Sequence, residues 1–122
     1  MPVSEIYKPF DGVVLAKDAV DRTVTTTKVC DTADGITMAA KITNGATGPT
    51  VAATVQVEVS PNGTDWYSYG DPITGSTVAN AVVSGVVHLP AQGFRYVRIS
   101  AGGNTVQNVT VDAHLVIVRY YR

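Results

Sequence analysis

One cysteine, Cys30, leaves no internal disulfide to form, so this chain is held by packing rather than by cross-links. The absence of a disulfide framework fits folding in a reducing cytoplasm. Leucine is scarce, with 3 residues among 122, and no window carries an apolar stripe of helical period beyond one turn near Lys17. Neither sign of charge is in excess: 9 basic and 10 acidic residues leave a formal net charge of −1. Nucleic-acid binders take their affinity from neutralised phosphates and carry a basic excess or stripe. Here Arg95, Arg98, Arg119 and Arg122 are spread over the ends of two expected strands. No nucleic-acid partner is expected. No apolar run approaches membrane-spanning length, and residues 1–5 lack the basic and apolar regions of a signal peptide. No membrane partner is expected either.

What the chain has in quantity is branching at Cβ. Valine, isoleucine and threonine supply 42 of the 122 residues. Such side chains are restricted in helices and suit a pleated sheet. Alternation locates the strands. Val55, Val57 and Val59 face one side of segment 51–60 while Thr54, Gln56 and Glu58 face the other, and Ile36, Met38, Ala40 and Ile42 share a face of segment 36–43. Further strands are expected over 13–17, 22–30, 66–69, 82–89 and 94–100, and in a last segment ending at Tyr120. Asp31 to Gly35, Asn44 to Pro49, Pro61-Asn62-Gly63, Pro90 to Gly93 and Gly102-Gly103-Asn104 read as turns or loops. The expectation is all-β: a single-domain antiparallel β-sandwich, jelly-roll-like, over residues 11–122.

Residues 1–10 hold Pro2 and Pro9 around Ile6, Tyr7 and Phe10, and read as an extended N-terminal arm whose apolar residues need a surface to lie on. The last strand raises the same question. Val109, Val111, Ala113, Leu115 and Ile117 form one apolar face, but Val116 and Val118 make the other face apolar too. Either the arm covers that second face or another subunit does. Ile6, Tyr7, Phe10, Val116, Val118 and Tyr120 are therefore the expected subunit or capsid contacts.

Catalytic constellations are not found. His88 and His114 have no third metal ligand near them in sequence, and Cys30 has no histidine at a nucleophile–base spacing. Asp31, Asp34 and Gly35 lack the further oxygen ligands of a calcium loop, and there is no phosphate loop or Gly-x-Ser-x-Gly elbow. No enzyme activity, catalytic residue, metal or cofactor is expected. Trp66, following the Asn62-Gly63 turn, reads first as a plug of the core. The alternative places Trp66, Tyr67 and Tyr69 as a sugar-stacking platform of a carbohydrate-binding module.

Two resemblances attach to these motifs. The alternating valines, then Ser60-Pro61-Asn62-Gly63-Thr64-Asp65-Trp66, then Phe94-Arg95-Tyr96-Val97-Arg98-Ile99, resemble the discoidin/galactose-binding β-sandwich over residues 54–100. The same hairpin is similar to segments of small accessory proteins of tailed-bacteriophage virions, including head decoration (cement) proteins. That resemblance implies a structural protein on the capsid surface, assembled in the host cytoplasm, with the major capsid protein as partner. It also implies a homo-oligomer, with a trimer favoured. A tail or baseplate adsorption component shares the same composition.

Overall fold

Period-2 alternation, with few breaks, makes strands that are apolar on one side, and two such sheets can only hide those sides against each other. The computed structural model describes residues 2–25, 27–30, 33–89 and 94–120 and places nine strands in that arrangement. They are β1 (Pro2–Leu15), β2 (Thr23–Val24), β3 (Lys28–Val29), β4 (Gly35–Asn44), β5 (Thr54–Ser60), β6 (Tyr67–Thr74), β7 (Val82–Leu89), β8 (Tyr96–Gly102) and β9 (Val109–Tyr120). The first sheet runs β1-β9-β4-β7. The second runs β2-β8-β5-β6, with β3 also paired to β8. Every pairing is antiparallel, and the described residues contain no helix.

The core lies where the alternation put it. Met38 and Leu115 face each other across β4 and β9, Val57 and Ile99 across β5 and β8, and all four are fully buried. Cys30 is buried as well, its Sγ 3.8 Å from the Phe94 carbonyl oxygen. Among the described residues no buried side-chain nitrogen or oxygen lacks a partner.

Three elements differ from the sequence reading. The segment expected as an arm is the start of β1, which runs on without a break to Leu15, so the boundary expected at residue 10 falls inside a strand. Register shifts between Tyr7 and Phe10, and between Phe10 and Val13, let β1 keep pairing with β9 past Pro9 and Gly12. The expected strand over 22–30 is cut into β2 and β3. Between them Thr25 bonds Ile99 through its own backbone, and its hydroxyl also accepts the Ile99 N–H at 2.8 Å. β6 runs on to Thr74 instead of ending near Tyr69, because a register shift opposite Val55 and Val57 and a positive φ at Gly70 absorb the irregular stretch. The turn expected over 90–93 lies outside the described residues, as do residues 31–32 of the aspartate loop.

Candidate functional site

The solvent side of the first sheet is the least ordinary surface of the molecule. Antiparallel sheets that face water on one side show polar residues there. Here the row across β1, β9, β4 and β7 reads Ile6, Val116, Thr37, His88, and the next reads His114, Ala39, Val86 from β9 to β7. Ile6 is 62% exposed and Val86 57%. Val118 extends the apolar region one row on from Val116, opposite Ser4. Polar groups return at Asp112, Lys41 and Ser84, with Asp112 Oδ1 accepting the Gly12 N–H at 2.7 Å. The small side chain of Ala39 leaves a shallow hollow of about 390 Å³ bordered by Lys41, Val86, Asp112 and His114. Patches of this kind mark interaction sites more often than they mark solvated surface.

Of the expected contact residues, Ile6, Val116 and Val118 share this face. Tyr7 does not: it is half-buried against the core, with Lys28 Nζ 4.5 Å from its ring centroid. Phe10 is 3% exposed and belongs to the core, because the register shift beside it turns its ring inward. Tyr120 closes β9 opposite Pro2, and its side chain lies outside the described residues.

Where β1 passes β3, the structure closes one side of the sandwich with charges that the sequence does not associate. Glu5 meets Lys28 Nζ at 2.9 Å and Arg119 Nη1 at 3.3 Å, while Arg119 Nη2 donates to the Val29 carbonyl. The Lys28 hydrogen bond, helped by the charges of Lys28 and Arg119, holds the Glu5 carboxyl below its ordinary 4.5 against a smaller opposing effect of burial. A carboxyl with a lowered folded-state pKa stabilises the fold above the unfolded value and loses that contribution as pH falls through the folded one. Glu5→Gln is therefore expected to melt below the parent at neutral pH and level with it in strong acid. With Glu5 44% exposed, the neutral-pH gap is expected to stay under about 1 kcal/mol. Thermal melts across pH check this, and a gap that persisted in acid would assign the effect to something other than the ion pairs.

The outer face of the second sheet carries Trp66, but not the other two aromatics expected beside it. Trp66 is not the core plug expected of it. It stands outside the sheet, half-buried, with the Arg98 guanidinium 4.0 Å over its ring and Arg98 Nε donating to Glu58 Oε1 at 2.7 Å. The reason is parity: Ser68, opposite Glu58, faces out, and Trp66 lies two residues before it. Tyr69 turns inward and meets Phe94 edge-on at 6.1 Å, whereas Tyr67 is 60% exposed. The structure thus separates Tyr69 from Trp66, and the indole face offered to a sugar already carries Arg98. Nearby, Arg22 bonds Ser100 Oγ, the Ser100 carbonyl and both Thr54 oxygens, clipping the entry of β2 across β8 to β5. The sequence reading placed Arg22 only at the start of the strand expected over 22–30, with no partner for its guanidinium.

His88 Nδ1 lies 3.1 Å from Thr37 Oγ1, and β4 separates it from His114. Among the described residues no three His, Cys, Asp or Glu side chains gather at metal-binding range.

No protein-family model matches this sequence, and no curated protein matches it. Solved structures do share the fold. The VP2 subviral particle protein of infectious bursal disease virus aligns with a TM-score of 0.59 at 9% identity over 98% of this chain. This chain spans 32% of that one. The SPBc2 prophage-derived protein YomS aligns at 0.50 and 13% identity, covering 97% of this chain and 95% of its own. A protein of Bacillus endospore appendages aligns at 0.51 and 10% identity over 98% and 89%. At these identities the likeness is one of fold. The discoidin-type resemblance of residues 54–100 rests on sequence alone.

Proposed function

We propose that this chain is a non-enzymatic structural protein of a phage virion, a capsid decoration protein that stabilises the head by bridging coat subunits. The observation that carries the reading is the partly apolar solvent side of the first sheet, where Ile6 and Val86 are exposed, Val116, Val118 and Ala39 are half-buried, and Ala39 and Val86 border one shallow hollow. The fold likeness to a virus capsid protein and, over nearly the whole of both chains, to a prophage-derived protein supports it. Such a face suits many shallow contacts with a coat lattice. Symmetry and avidity turn modest affinity per copy into firm attachment. The working assembly is a homo-oligomer, with a trimer favoured, and the partner is the major capsid protein.

Binding to purified coat particles tests this. Ile6→Lys and Val116→Lys place a charge where the isolated chain meets water, so each is expected to fold as the parent does. Each is also expected to lower occupancy on particles at least tenfold, which corresponds to about 1.4 kcal/mol. Full occupancy by both variants would remove the face from the proposal. The failure of the parent to bind any coat particle, together with sugar-dependent quenching of Trp66, would move the reading to carbohydrate binding.

A further inference from the structure

The sheet edges are not alike. β1 bounds the first sheet with Lys8, Pro9 and Asp11 in its length, two register shifts, and Gly12 at φ +65°. β6 bounds the second with Pro72, a register shift against β5, and Gly70 at φ +68°. At that sheet's other end, β2 and β3 offer two residues each. Prolines, charges, bulges and short strands all keep an edge from pairing with another chain.

β7 carries none of these devices. Its eight residues include no proline and no Asp, Glu, Lys or Arg, and they pair with β4 through eight consecutive partners without a shift. Beyond it the first sheet stops, and no backbone hydrogen bond reaches its outer side among the described residues. The side chains agree. The inward residues of interior strands are fully covered, as Met38 and Leu115 are, whereas on β7 only Leu89 at its end is buried and Val83, Gly85 and Val87 stay half-buried. One more strand alongside would cover them.

That strand has to be extended, uncharged and free along one side. Among the described strands β7 itself meets this description, and the blunted edges do not. We infer that β7 is a self-association edge, pairing antiparallel with β7 of a second copy about a two-fold axis and joining the two first sheets into one. Opposed residues in a ladder share a face, so the axis falls at Ser84, Gly85 or Val86. Centred on Gly85, Val83 meets the partner subunit's Val87, and Val82 meets the partner subunit's His88. No Asp, Glu, Lys or Arg faces its like, because β7 has none. The contact is isologous and closes at two copies, so it can stand alone or join larger rings in pairs. It requires no coat protein and holds or fails independently of the virion reading.

The test uses the full chain in solution. Mass is measured by light scattering up to about 100 µM, where a micromolar contact is saturated, and amide hydrogen exchange is followed along β7. Val86→Lys charges the edge at a side chain that faces solvent in the monomer; Ile6→Lys does the same at the opposite edge of the same sheet. The expected results are an oligomeric parent, a Val86→Lys variant of half that mass whose melting temperature matches the parent's at dilutions where the parent is monomeric, and an Ile6→Lys variant that keeps the β7 contact. Alternate β7 amides should exchange more slowly as concentration rises. A monomeric parent, an oligomer whose mass Val86→Lys leaves intact, or β7 exchange independent of concentration would each overturn the inference.

Discussion

Gly48→Ala is expected to destabilise the fold by about 3 kcal/mol or more, lowering the melting temperature by roughly 12 °C. A Cβ at this position would overlap the Thr77 carbonyl oxygen and lie 2.6 Å from its carbon and 2.9 Å from the Val78 carbonyl carbon. All three are backbone atoms, so no rotamer change relieves the clash. The opposing loop cannot retreat freely either. The buried Asn44 side chain donates to the Ser76 and Val78 carbonyls at 2.7 and 2.8 Å, and the Asn80 N–H bonds the Gly45 carbonyl. Moving the loops apart sacrifices those bonds at about 1 kcal/mol each. Gly45, three residues earlier, is the control: nothing lies within 4 Å of its added Cβ and its φ is not positive. Gly45→Ala should melt close to the parent. If both variants melted alike, loops 45–49 and 76–80 would not pack as closely as the structure has them.

The parts of this fold that were legible in the sequence are those decided by neighbours along the chain. The valines of β5 and the inner residues of β4 and β9 alternate without interruption, so their buried faces follow from pattern alone. The Asn62-Gly63 turn is equally local: Ser60 Oγ accepts the Asn62 and Gly63 N–H groups, Asn62 Oδ1 accepts those of Thr64 and Asp65, and Gly63 takes φ +80°. What escaped was decided by distant partners or by single irregularities. Nothing near Trp66 announces that Arg98 will cover it, nor does Glu5 announce Arg119, which lies 114 residues on. Tyr7 and Phe10 looked like equivalent members of an arm, and a register shift between them sends one ring to the margin and the other to the core. The apolar character of both sides of β9 was legible; the fact that β1 adds to its edge without covering its outer face was not.

That two-sidedness gives the second large effect. Leu115→Ala is expected to cost about 3–4 kcal/mol, because Leu115 is fully buried opposite Met38 and Tyr7 and the surrounding sheets cannot collapse into the space it leaves. Val116, the next residue, faces the other way between Ile6 and Thr37 and is only half-buried, so Val116→Ala should cost under about 1 kcal/mol in the isolated chain. Denaturant unfolding of the two variants at low concentration measures the contrast directly. Comparable losses would mean that the outer face of β9 is already covered in the single chain, which would leave no apolar face to offer a coat lattice. A large loss at Leu115 with a small one at Val116 leaves the outer valines without a stabilising role of their own. In that case Val116→Ala should become costly when the protein is bound to its particle, and release on heating should occur at a lower temperature for Val116→Ala than for the parent, although the two free chains melt nearly together.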